Sequence, residues 1–486
     1  MKISSIFAIL TASAILAACD FLDEYNPNSV TVGNYYTSEE DIVASLNGVY
    51  TSLTQGYVAN NNHYFTDVRA NTTVVTSSGA NSGIPYQFYN YTLTEENVYV
   101  YNRYSQLYKI ISRANTLFAH LGDVSYAAPS ARDTYEAEAR FLRALAYYWL
   151  VTEWGDVPLV LKALESAEEV RANNYRRPKA EVYQAIFDDL KYVTESPLAD
   201  VQPASACGKV SKSAAWALWG KALLQQACDE DFVGSKSELL GQAIEKLTAA
   251  WNLRKFGELA SVPYSAIWDL STQKSCAENI FQINYIQGNA DLGSVWNYLY
   301  GPEGTGVTSQ KKGEMQNVTT QAVYDSFETG DVRRSFLRAT NMAGQTYYHT
   351  MKYADLECGA NGYGGNNWIV LRYADVALML AEAYYWSEEE TLAKTWLNKV
   401  RERAGLGDWS GSDLRQGIYD ERLHEFMQEG LRWQDLLRMY DRTEMLEHFS
   451  AINSNFSSKD LLLPIPYNER ILNPEGLYQN PGYGDN

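Results

Sequence analysis

Histidine is scarce in this chain, with five in 486 residues and none in a cluster. The nearest thing to a zinc signature, His424-Glu425, lacks its second ligand because position 428 is glutamine. Cysteine is equally sparse: five residues, widely spaced, with no C-x-x-C pair to hold a metal or run redox chemistry. Positive charge is in short supply, 40 Lys and Arg against 59 Asp and Glu, for a formal net charge of −19. That balance repels phosphate backbones and anionic lipid, so nucleic acid is excluded as a partner. Phosphate-cradling glycine loops and the G-x-S-x-G elbow are missing. Asp229, Asp231 and Gly234 follow part of a calcium-loop pattern, but Val233 and Leu240 stand where oxygen ligands are needed. No catalytic signature is left, and the reading is of a non-enzymatic protein without metal or cofactor. Carboxylates are too numerous for the composition alone to exclude a glycosidase.

Long apolar runs are also absent apart from Ile6 to Leu16, which is too short to span a bilayer. With Lys2 before it, this run reads as a secretory signal covering residues 1–18. Its ending, Leu16-Ala17-Ala18-Cys19, resembles a bacterial lipobox, which makes Cys19 the lipidated first residue of the mature chain. Cleavage removes Lys2 and takes the formal charge from −19 to −20. Asp20, Asp23 and Glu24 follow, similar to the acidic tract of surface-exported lipoproteins, and residues 19–36 read as a lipid-anchored tether. The remaining four cysteines allow three pairings, and the spacing selects none of them.

What is abundant is helix patterning and aromatic side chains. Ser38, with Asp41 three positions on, predicts a helix start. The stretch EAEARFLRALAYYWLVTEWGDVPLV, residues 136–160, predicts a long helix ending at Trp154-Gly155. Phe141, Ala144, Leu145, Tyr148 and Val151 form one apolar face and Leu142, Ala146 and Trp149 a second, so the helix has to be packed on two sides. Glu136, Arg140, Arg143 and Tyr147 form the polar stripe between them. A tetratricopeptide-like pattern of two large residues, a small one and another large one recurs at Leu142/Leu145/Ala146/Trp149, Trp216/Trp219/Gly220/Leu223 and Ala377/Leu380/Ala381/Tyr384. Partner helices are marked by Ala243/Leu247/Ala250 and Ala393/Leu397/Val400. The expected fold class is all-α: degenerate tetratricopeptide-repeat helical hairpins with long loop-rich insertions carrying minor β-structure. Trp149, Trp216, Trp219 and Trp251 are assigned to its core.

The insertions, at about 56–101 and 255–370, are rich in aromatics, Asn, Gly, Ser and Thr. Ile280 to Tyr285 alternates as a strand does. Loops carried on a scaffold are where recognition sits, and 37 Tyr and 12 Trp against 15 Phe favour aromatics that tolerate water. Flat rings beside a few hydrogen-bonding groups suit the C–H faces and hydroxyl edges of sugars. The candidate ligand-binding residues are therefore Tyr86, Tyr89, Trp296, Tyr298, Tyr363 and Trp368 for stacking. Asp67, Asn71 and Arg372 are the polar candidates, with an Arg372–Asp375 salt bridge as the structural alternative.

Four stretches, AEARFLRALAYYWLVTEWGDVPLV at 137–160, LRYADVALMLAEAYY at 371–385, ERLHEFMQEGLRWQDLLR at 421–438 and LLLPIPYNERILNP at 461–474, resemble the SusD/RagB family of outer-membrane nutrient-binding lipoproteins. The resemblance implies that residues 37–486 form one SusD-like domain with four degenerate repeat units. It also implies glycan binding without catalysis and delivery to a SusC-like TonB-dependent transporter. Location is implied as well: the cell surface, lipid-anchored on the outer membrane. A peptide ligand is the alternative, with a glycoside hydrolase behind it. Glu421, Arg422, Glu425, Glu429, Arg432 and Asp435, at three- and four-residue spacing, are expected to pair with one another and orient adjoining helices.

Overall fold

The computed structural model describes residues 35–75, 83–301, 316–342, 344–358 and 362–484. The signal sequence, Cys19 and nearly all of the tether lie outside the described residues, and so does the side chain of Tyr298. The first half contains helices α1 (Glu39–Ser52), α2 (Tyr86–Asn90), α3 (Val98–His120), α4 (Ala131–Trp154), α5 (Ala167–Asn173), α6 (Lys179–Glu195), α7 (Lys212–Ala227) and α8 (Lys236–Asn252). The second half adds α9 (Trp296–Leu299), α10 (Gln321–Asp325), α11 (Tyr373–Trp386), α12 (Glu390–Arg403), α13 (Leu414–Phe426), α14 (Arg432–Met439), α15 (Arg442–Ile452) and α16 (Tyr467–Arg470). Strands are short: β1 (Thr73–Val74), β2 (Val157–Pro158), β3 (Arg176–Arg177), β4 (Asn279–Ile283), β5 (Val318–Thr319), β6 (Leu337–Met342), β7 (Gln345–Thr350) and β8 (Trp368–Arg372).

The helices stack as the repeat pattern requires, α3 on α4, α4 on α6, α7 on α8, α8 on α11 and α11 on α12. The Ser38–Asp41 capping box opens α1. Helix α4 is buried on both faces, from Ala137 through Trp154, and Gly155 ends it at φ 75°. Its polar stripe is satisfied: both Arg140 and Arg143 reach Asp189 of α6, and the Tyr147 hydroxyl donates to the Val160 carbonyl. In the α7–α8 hairpin the small residue is required, since a Cβ on Gly220 would stand 2.5 Å from Leu247 Cγ. Trp251 is buried as expected. Trp149, Trp216 and Trp219 are only partly so, contrary to the core assignment. Trp216 and Trp219 stack at 5.6 Å with Lys246 over both rings, a surface arrangement that covers the hairpin from outside.

Residues 432–452 form two helices, α14 and α15, because Asp441 leaves helical geometry and caps α15. Pro464 and Pro466 hold 461–466 extended, and that strap lies across the end of α4: Leu463 N donates to Glu153 O and Trp154 Nε1 to Pro464 O. No disulfide joins the four described cysteines.

The two insertions meet. Strand β1 from the first pairs with β5 from the second, Val74 opposite Val318, and β5 continues through β7 to β6 in one four-stranded antiparallel sheet. A second ladder, β4 with β8, ties the start of the second insertion to its end.

Candidate functional site

The first insertion leaves α1 and turns through Tyr64–Val68, every residue of which is buried. Asp67 is among them, enclosed and with one carboxylate oxygen unpartnered, so it reaches no ligand. Burial raises its pKa to about 7, against the opposing charge of Lys352. Asn71, at φ 55°, makes the turn into β1 and stays partly exposed.

Helix α2 sits above this turn and is anchored on its inner side. Phe88 packs edge-on to Phe65 at 4.9 Å and against Tyr64 at 5.9 Å. The helix is closed by Tyr91 in the left-handed region, its hydroxyl donating to Arg69 O. Asn97, the N-cap of α3, donates to Ile84 O and Gln87 Oε1. Tyr86 and Tyr89, about one helical turn apart, stay partly exposed, Tyr89 also packing against the main core. Their ring centroids are 5.7 Å apart and their planes 33° from parallel. Tyr57 and Tyr99, also partly exposed, meet at 4.8 Å, and Tyr99 packs on Tyr64 at 5.5 Å. Both stood in the aromatic-rich run of the sequence but were not singled out. Tyr64 bridges to the second insertion by donating to Gln316 Oε1.

The second insertion departs from expectation. Trp296 is fully enclosed and Trp368 nearly so. Trp296 meets Tyr285 at 4.8 Å and Trp368 at 5.1 Å, and Trp368 lies parallel to Tyr353 at 5.9 Å. These rings continue the main hydrophobic core of the helical body into the insertion, and neither tryptophan offers a face to a ligand. Trp368 also closes on Gly430, where a Cβ would meet its ring at 2.9 Å and the Asn62 amide at 2.1 Å. Tyr363 stays partly exposed beside Gly293, next to the Ser294–Gly364 bridge.

Arg372 is buried as well, and its partner is not Asp375. Its guanidinium donates twice to Glu429 and also to Glu278 and Glu425. Asp375 is held by Lys221 and Arg422. Glu425 further binds Arg403 and Arg333, and despite its burial these guanidiniums hold its carboxylate well below the usual range. The acidic and basic residues of 421–435 therefore pair across elements rather than along their own helices, Arg422 with Asp435 joining α13 to α14; Asp435 with Arg438 on α14 is the exception. The arrangement is structural: it fastens β4 and β8 to α13.

Of the nine candidates, Tyr86 and Tyr89 are brought together, and Asn71 is partly exposed in the same insertion. Among the described residues no group of three His, Cys, Asp or Glu is placed to hold a metal ion, and no helix is long and apolar enough to cross a membrane.

Residues 335–483 match the model of the SusD family, and residues 20–224 match a second model described as starch-binding, associating with the outer membrane. SusD-like protein P2 of Formosa agariphila is 28% identical over 521 residues, covering 99% of each chain. A laminarin-binding SusD-like protein of known structure superposes with a TM-score of 0.77 at 26% identity, over 92% of this chain and 100% of that one. Surface glycan-binding protein A from Bacteroides thetaiotaomicron, in complex with laminarihexaose, superposes at 0.75 with 20% identity, over 91% and 99%. Family models meeting opposite ends of one chain, with a full-length relative spanning the middle, agree with the stacked hairpins: the chain belongs to the SusD/RagB family.

Proposed function

We propose that this chain is a glycan-binding lipoprotein of the bacterial surface, anchored to the outer membrane through Cys19, which binds an oligosaccharide without cleaving it and passes it to a SusC-like TonB-dependent transporter. Residues 1–18 are the signal, 19–36 the tether, and 37–486 the binding domain. The observation that carries the reading is the Tyr86–Tyr89 pair on α2. A short helix is fixed by Phe88, Tyr91 and Asn97, so two partly exposed phenol rings are presented with little entropy left to lose on binding. Rings of this kind stack on sugar C–H faces while their hydroxyls stay in contact with water. Asn71 and Gln87 supply amide groups on the same insertion. The laminarin-binding relative supports a glucan as the ligand, and the starch-binding description of the amino-terminal family model supports the same class.

Calorimetry with laminarin oligosaccharides, starch oligosaccharides and a wider polysaccharide panel tests the reading. Binding to at least one glycan is expected. Tyr86→Ala and Tyr89→Ala should each weaken it roughly two- to tenfold, the range that follows from ~0.5–1.5 kcal/mol per aromatic contact, with the melting temperature unchanged. No binding to any glycan overturns the function, and product release from a labelled glycan overturns its non-catalytic character. Unchanged affinity in both variants overturns the placement on α2.

A further inference from the structure

A cleft of about 280 Å³ opens on another part of the body, between α3 and the segments that follow β2 and carry α16. Its walls include Tyr104 and Tyr108 of α3, Val160 and Val170, and Glu469. Three observations there are unexplained by the fold. The Glu469 carboxylate is partly buried and has no hydrogen-bond or ion-pair partner among the described residues; its neighbour Arg470 turns away to Glu95. Tyr104, 3% exposed, has a buried hydroxyl with no hydrogen-bond partner of normal geometry, although it lies beside Tyr108, whose own hydroxyl donates to Pro158 O. Finally, nearly half of the large apolar side chains that are exposed among the described residues fall in two short segments, including Leu161, Val170 and Tyr175 in one and Tyr467, Leu472 and Tyr478 in the other.

These two segments are in contact. Asn473 donates to Asn174 O, Arg176 N to Gly476 O, and the Arg176 guanidinium lies 4.3 Å over the Tyr478 ring. They supply walls of the cleft as well as the apolar surface beside it. A concentration of exposed apolar groups of this kind marks a macromolecular interface.

We propose that this cleft is a docking site for a protein partner that inserts one basic side chain, lysine or arginine, against Glu469 and the rings of Tyr104 and Tyr108, and lays apolar residues on the surrounding surface. The occupant is chosen by charge. Burial holds Glu469 above the usual carboxylate range, so a cation is what the site is missing. Phenol faces accept a cation as well. The cleft's own lysine, Lys162, is engaged by Glu169. The chain's tether does not qualify as occupant, since residues 20–36 contain Asp20, Asp23 and Glu24 and no Lys or Arg. A second copy, at −19, brings more of the charge already present.

The test is a photo-crosslinker, benzoylphenylalanine, placed at Leu472 in the full-length lipoprotein and expressed in its own cell envelope, with Val233 as an exposed control position. The expected result is one protein adduct from position 472, absent from 233, whose attached peptide contains Lys or Arg. Glu469→Lys should reduce its yield at least fivefold while leaving melting and glycan affinity as they were. Reversing the charge of the mapped basic residue should restore it in the Glu469→Lys background. Adducts with a second copy, with lipid or with polysaccharide overturn the proposal, as do no adduct, equal yield from 233, or a yield insensitive to Glu469→Lys.

Discussion

Trp296 stands in a stretch full of turn formers, yet its indole is completely enclosed by Tyr285, Tyr353 and Trp368. Trp296→Ala should therefore cost ~3–5 kcal/mol, the usual range for deleting a buried large aromatic, measured by urea unfolding. A variant of normal stability would show that the cluster is not part of the core. Asp67 allows a pH prediction. Its pKa is near 7 in the folded chain against an ordinary 3.8, with burial the main cause. Below about pH 4 the carboxyl is protonated in both states and costs nothing. Between the two values only the unfolded chain releases the proton, so Asp67 should lower stability progressively as pH rises from about 4 to 7, and by a constant amount above that. Asp67→Asn should remove this contribution, so its melting temperature should exceed the wild type's by an amount that grows across that window. A gap that is constant or shrinks with pH would contradict the assignment.

The hairpins depend on close approach. Gly220→Ala raises helix propensity but drives a methyl into Leu247, and overpacking of this kind costs ~1–3 kcal/mol; a chemical-denaturation midpoint that rises would show that α7 and α8 can separate without loss. Although Trp216 and Trp219, assigned to the core from the spacing of this helix, cover the hairpin from outside, the close approach was readable in advance at Gly220 and Leu223, which express it as local spacing along one helix. The same holds for α4, whose two apolar faces and polar stripe are both periodic. The insertions carry no such period. Whether a loop aromatic such as Trp368 or Tyr86 faces in or out is decided by what folds over it: Trp368 is closed by Gly430, 62 residues away in sequence, and Tyr86 stays partly exposed. Arg372 illustrates the same limit. Asp375 is near in sequence, but the carboxylates that hold the guanidinium, Glu278, Glu425 and Glu429, are all at least 53 residues away.

At the level of the whole molecule, the proposed anchor predicts that Cys19→Ala releases the protein from the membrane fraction and abolishes incorporation of an alkynyl fatty acid, with glycan affinity retained by the purified domain. Retention of the label would place lipid elsewhere. A helical body with both insertions joined by one sheet leaves the hairpins free to keep a constant packing while the surface proposed for binding varies.

That shared sheet also sets a timetable. Strand β1 finds its partner only when β5 exists, and Val74 precedes Val318 by 244 residues. At synthesis rates of ~5–20 residues per second, roughly 12 to 50 s separate the two strands in a chain built from its amino terminus. Throughout that interval Tyr64 lacks Gln316, the acceptor for its hydroxyl, and His63 lacks the ring of Tyr300. An unpaired strand and uncovered aromatic side chains make that interval the one in which the growing chain is most open to aggregation.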